Sequence, residues 1–153
     1  MDKNQLLRIR IKALREKISR RRNLQLVQES FVTDDEKLNL GPGKFKKVAI
    51  EIRTRDPGAH PHFHVIGDKC TASICIDVPK YFNHHSTDRE LSQSEMERLV
   101  EFLKSPHKSK KKLTNWEFIR DMWNGNGSNR FKTKPLNCKM PDYLHMEGDV
   151  KQK

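Results

Sequence analysis

Cysteine is scarce in this sequence, and its few cysteines are not spaced for cross-linking or zinc binding. The 153 residues include three cysteines, Cys70, Cys75 and Cys138. Their odd number and the lack of CxxC spacing argue against both a disulfide framework and a zinc ribbon. Because free thiols persist best in a reducing compartment, we expect a cytoplasmic protein.

Apolar and aromatic residues are also few. Hydrophobic residues make up 34% of the chain and aromatic residues 7%. No apolar run approaches the length of a membrane span, and the first residues lack the apolar segment of a secretory signal. We therefore expect one domain with a small core and no membrane partner.

Acidic residues are too few to balance the basic ones. Lys and Arg total 31 against 20 Asp and Glu, which gives a formal net charge of +11. An excess of this size favours a polyanionic partner, which is most often nucleic acid. An acidic protein surface would meet the same charge, and a basic protein that is merely soluble is the simpler alternative.

The first basic segment is predicted to be an amphipathic helix over residues 1–24. Leu7, Ile11, Leu14 and Ile18 recur at helical spacing and form a narrow apolar stripe. The stripe could dock on the rest of the protein or pair with a second copy, while the flanks could bind a polyanion. The candidate nucleic-acid contacts in this helix are Arg8, Lys12, Arg15, Arg20, Arg21 and Arg22.

A second dense basic segment lies at 108–112. Neither basic segment interleaves aromatic residues, which single-strand binding surfaces use to stack bases. Contacts to phosphates, without reading of sequence, are therefore the more natural expectation. The candidate contacts in this segment are Lys108, Lys110, Lys111 and Lys112.

The middle of the chain predicts an α+β domain over 44–125. We expect a linker at 25–43 and an irregular tail at 126–153. The segments "KFKKVAIEIRTRD", "HPHFHVIG" and "CTASICIDV" alternate in polarity and predict an antiparallel meander of three or more strands. Two helices should follow and cover one face, because Ser92 with Glu95 and Thr114 with Glu117 have the spacing of capping boxes.

Three histidines occupy alternate positions in the second predicted strand. His60, His62 and His64 should share one face, and Phe63 and Val65 should face the core. We expect the histidine face to be open to solvent. Neutral imidazoles bind transition metals such as zinc, so the cluster predicts a metal site or a phosphate contact. The third interpretation of these histidines is an exposed polar face without a special role.

Two resemblances attach to these residues. The letters of His60-Pro61-His62-Phe63-His64-Val65-Ile66 resemble the motif of the histidine-triad nucleotide hydrolases and transferases. That resemblance implies that His62 is a nucleophile on an α-phosphate.

The second resemblance covers residues 45–124. The segment from Pro61 to Val65, the strand ending at Asp77, the helix "EMERLVEFL" and the segment with Trp116 are similar to a small bacterial family catalogued as domain of unknown function 4160. His60 replaces a proline expected there, and the family lacks the basic N-terminal helix and the long tail. The resemblance implies a genomic neighbourhood of the toxin–antitoxin, phage or mobile-element type, and it implies no particular reaction.

These observations favour a small basic protein that binds nucleic acid or a nucleic-acid-handling complex, with a surface histidine cluster as a metal or phosphate site. One alternative is catalytic, a metal-dependent nuclease or a histidine-triad-like phosphohydrolase that uses His62. The other is an interaction or inhibitor subunit without catalysis.

Overall fold

The computed structural model describes residues 2–33, 37–53, 60–83, 88–125 and 134–151, with the backbone alone at 18–30 and 151. Strands and helices occur in separate runs along the chain, as expected of an α+β fold. In chain order the elements are α1 (Lys3–Gln28), β1 (Glu29–Phe31), β2 (Leu38–Asn39), β3 (Lys47–Arg53), β4 (His62–Ile66), β5 (Thr71–Cys75), β6 (Tyr81–Asn83), α2 (Gln93–Lys104), α3 (Asn115–Trp123) and β7 (Asp149–Lys151).

The strands form a mostly antiparallel sheet. Its order is β1-β3-β4-β5-β6-β7, and β2 also pairs with β3. Strands β3, β4 and β5 are neighbours in antiparallel register, with Phe63 opposite Ile74 and His64 opposite Ser73. The predicted meander and the α+β fold class are therefore confirmed. The final pair, β6 and β7, is parallel.

One face of the sheet and the two later helices form the hydrophobic core. Alternate residues of the meander contribute to this core, because successive side chains of a strand point to opposite faces. They join the apolar residues of α2 and α3 in a single buried cluster. The central members are Val48, Ile50, Ile52, Phe63, Val65, Ile74, Leu99, Leu103, Trp116 and Ile119.

Both predicted capping boxes are present. The Ser92 hydroxyl accepts from the Glu95 amide, and the Glu95 carboxylate accepts from the Ser92 amide. Thr114 and Glu117 make the same pair of bonds at the start of α3. These bonds satisfy backbone donors that the first turn of a helix otherwise leaves open.

Segments on both sides of the predicted domain contribute elements to the fold. The segment 25–43 contains the end of α1 and the strands β1 and β2, and Leu40 within it is fully buried. The tail packs against the domain through the buried Tyr143 and through β7. These two segments show no sustained hydrophobic periodicity in the sequence, because their strands are brief and only single residues anchor them to the core.

Candidate nucleic-acid interface

Strand β4 brings two of the three histidines together. His62 and His64 lie on one face, and their ring centroids are 4.9 Å apart. The His62 Nδ1 donates to the backbone carbonyl of His60 at 2.6 Å. Ser73, opposite His64 on β5, places its hydroxyl 3.3 Å from the His64 Nδ1. The predicted sharing of a face is therefore confirmed for His62 and His64.

The prediction that this face is open to solvent is wrong. His62 and His64 are each only 1% exposed. Phe82 of β6 lies with its ring centroid 4.5 Å from that of His62, and the Trp123 ring at the end of α3 lies 5.9 Å away. A histidine this deeply covered does not contact a phosphate or a substrate in this conformation, so the geometry does not support His62 as a nucleophile.

Glu51 of β3 lies opposite His64, and it is only 4% exposed. The Arg53 guanidinium donates to its carboxylate. Because a buried charge is costly unless it is paired, this ion pair offsets the burial of Glu51. The central sheet is therefore covered on both faces.

His60 lies before the strand and has a different partner. Its Nε2 is 2.6 Å from the Asp77 carboxylate, and both side chains are partly exposed. Within the described residues, no three His, Cys, Asp or Glu side chains are placed to share one metal ion. The predicted zinc ligand set of His60, His62 and His64 thus has no support from this arrangement.

The nearest thiol on the histidine face is not a reactive group. Cys75 lies opposite His62, and burial raises the pKa of its thiol to about 12. The Asp77 carboxylate acts in the same direction. All three cysteines are free. Because the thiolate is the nucleophile and the metal ligand, Cys75 is a structural residue at neutral pH.

The segment after α2 forms a closed loop, which we call the lysine loop (residues 107–113). The His107 amide donates to the Leu113 carbonyl at 2.8 Å, and the Leu113 amide donates to the Lys110 carbonyl at 2.9 Å. A β-bridge between Pro106 and Thr114 closes the base of the loop. The loop therefore has a defined backbone conformation.

His107 holds the inside of the lysine loop. Its Nδ1 accepts from the amides of Ser109 and Lys110 at 3.2 and 3.1 Å. Its ring stacks on Phe118 of α3 with centroids 3.7 Å apart. Sequence reasoning missed this residue. The sequence did contain a signal for it. His107 lies two residues before Ser109, and from that position Asn and Asp side chains organise turns by accepting backbone hydrogen bonds, as a ring nitrogen can also do.

All four lysines of the lysine loop point into solvent. Lys108, Lys110, Lys111 and Lys112 are exposed, and so is Lys104 in the last turn of α2. In the described part of the chain, Lys110, Lys111 and Lys112 form no ion pair. The loop therefore presents several ammonium groups close together on a fixed backbone.

Helix α1 presents the other predicted contacts. Arg8, Lys12 and Arg15 are exposed on it. The side chains of Arg20, Arg21 and Arg22 lie outside the described residues. None of the described helices, α1 included, combines the length and the apolar character that a membrane crossing requires.

Comparisons with protein-family models, with curated proteins and with solved structures found no match for this chain. The two resemblances given above therefore stay predictions.

Proposed function

We propose that this protein binds the phosphate backbone of a nucleic-acid duplex through the lysine loop. The observation that carries the proposal is the ordered conformation of the loop, which His107 holds while four lysines point outward. A preformed cluster of donors binds with little further loss of backbone entropy.

The positive charge of the lysine loop favours a negatively charged partner. Three consecutive like charges repel one another, and Lys110, Lys111 and Lys112 have no carboxylate partner among the described residues. A chain of phosphates is the natural counterpart, because each neutralised phosphate also releases condensed counterions. The net charge of +11 adds a long-range attraction for the same partner.

Binding is better supported than catalysis. The alternatives of a nuclease and of a nucleotide phosphohydrolase both rely on histidines that are reached by substrate. His62 and His64 are 1% exposed, and their face is covered by Phe82 and Trp123.

A duplex suits the loop better than a single strand. Single-strand binding surfaces stack bases on exposed aromatic rings. The Phe118 ring, which lies against the loop, already stacks with His107. We therefore expect contacts to the backbone and little dependence on base sequence.

The test is the salt dependence of binding to a labelled DNA duplex, followed by fluorescence anisotropy. Each phosphate contact adds about 0.9 to the slope of log K against log salt. The variant Lys110→Gln/Lys111→Gln/Lys112→Gln should therefore bind more weakly, with a slope reduced by about 2.7.

A matched control removes the same charge elsewhere. Lys44, Lys46 and Lys69 are exposed. Phe45, between the first two, donates to Glu95 in the first turn of α2, whereas the lysine loop follows the last turn of that helix. The two sites are separated by the length of α2, about 18 Å. Lys44→Gln/Lys46→Gln/Lys69→Gln should leave most of the slope intact. Equal losses in the two variants would reduce the proposal to an effect of net charge.

A further inference from the structure

Helix α1 carries large apolar side chains that are exposed to solvent. We call Leu7, Ile11 and Leu14 the apolar seam. They are 56%, 42% and 59% exposed. Their spacing of four and three residues places them on one stripe of the helix, as in the a and d positions of a coiled coil. In sequence the same spacing continues to Ile18.

Both borders of the apolar seam are basic. With Leu7 and Leu14 at d and Ile11 at a, the e positions are occupied by Arg8 and Arg15. The g positions are occupied by Arg10 and Lys17, and all four side chains are exposed. In a coiled coil the residues at e and g face those of the partner helix and decide which partner is accepted.

The borders argue against a second copy of this chain as the occupant. In a parallel pair each g position would face an e position, and in an antiparallel pair like positions would face each other. Every such pairing here places Arg or Lys against Arg or Lys. Like charges in these positions are destabilising.

The seam also argues against nucleic acid as the occupant. Phosphates would neutralise the arginines, but they would leave Leu7, Ile11 and Leu14 in water. An acidic helix with its own apolar stripe satisfies both features, because it covers the seam and neutralises the borders.

We infer that α1 docks an acidic amphipathic helix of a partner protein as a heterotypic coiled coil. The partner helix carries apolar residues at a and d and Glu or Asp at e and g. This surface is independent of the lysine loop, so the chain has one face for a protein and another for a phosphate backbone.

The test uses two labelled synthetic peptides of about three heptads, with Ile at a and Leu at d. One peptide has Glu at every e and g position, and the other has Lys. Anisotropy titrations with the full chain should show the Glu peptide binding at least about tenfold more tightly than the Lys peptide, and circular dichroism should show added helix on mixing. Equal binding of the two peptides would overturn the inference.

Two matched variants of α1 separate the apolar contribution from the charge. Leu7→Ser/Leu14→Ser removes two residues of the seam, and Leu6→Ser/Ile9→Ser removes two exposed apolar residues elsewhere on the helix. The first should weaken Glu-peptide binding at least about tenfold, and the second should not. Because these positions are exposed, neither variant disturbs the core.

Two further outcomes would contradict the inference. If the first variant weakens binding to a DNA duplex as much as to the Glu peptide, α1 is a nucleic-acid surface. If the free protein is a dimer by sedimentation, and the first variant is a monomer, the seam is occupied by a second copy. Neither result would bear on the lysine loop, whose lysines are unchanged in all these variants.

Discussion

Tyr143 is the residue that ties the C-terminal segment to the centre of the fold. It is buried, and its hydroxyl accepts from the Trp116 indole at 3.1 Å. The same hydroxyl donates to the Cys75 carbonyl at 2.7 Å. Burial raises the pKa of Tyr143 well above its usual value, so the hydroxyl remains a donor at all working pH values.

We expect Tyr143→Phe to lower the free energy of unfolding by about 1–3 kcal/mol, because the buried Trp116 donor and the Cys75 acceptor both lose this partner. Denaturant unfolding measures the change. His145→Ala is the control, since the His145 side chain is 84% exposed. A loss in Tyr143→Phe no larger than in the control would contradict the role given to the hydroxyl.

The Glu95 carboxylate accepts two backbone hydrogen bonds at the start of helix α2. Glu95 accepts from the Ser92 amide through Oε1 and from the Phe45 amide through Oε2, both at 2.8 Å. Burial raises the pKa of Glu95, but the bonds from Ser92 and Phe45 outweigh that effect and hold it below its usual value of 4.5. The capping box thus also anchors the loop before β3.

Glu95→Gln should lower stability at neutral pH by about 1–3 kcal/mol, because the amide nitrogen would face the Phe45 donor. A lowered pKa in the folded state means that this stability is complete above the unfolded pKa. It is lost as the pH falls through the folded pKa. The wild type should therefore lose more stability than Glu95→Gln between neutral pH and about pH 3.

The control for this element is Glu117→Gln, which alters the other capping box. Glu117 accepts from the Thr114 amide and accepts no hydrogen bond from a distant part of the chain among its described contacts. Denaturant unfolding at both pH values should show a larger change for Glu95→Gln. Parallel pH profiles for the wild type and Glu95→Gln would show that Glu95 contributes nothing through its charge.

The parts of the fold that follow from local sequence patterns were predictable. Alternation of polarity predicted the meander, and the capping boxes predicted the starts of α2 and α3. These signals depend on residues a few positions apart, and the structure contains them all.

The burial of the histidines was not predictable in the same way. Alternation shows that His62 and His64 share a face, but it does not show what covers that face. The cover comes from Phe82 and Trp123, which lie 20 and 61 residues further along than His62. The order of the lysine loop was missed because His107 turns inward to its own backbone.

In the function that we propose, the lysine loop binds the phosphate backbone because its conformation is ordered as well as because it is charged. His107→Phe keeps a ring against Phe118 but removes the acceptor for Ser109 and Lys110. His107→Asn keeps an acceptor at the equivalent atom and removes the ring. Neither substitution changes any lysine, so the pair varies the order of the loop at constant lysine content.

The most direct measurement is duplex affinity for these two variants at one salt concentration, with circular dichroism to confirm the fold. Disorder in the free loop should cost about 1.4 kcal/mol on binding, which is tenfold in Kd. We predict about that loss for His107→Phe and a Kd within about threefold of wild type for His107→Asn. A folded His107→Phe variant with wild-type affinity would contradict the role given to the order of the lysine loop.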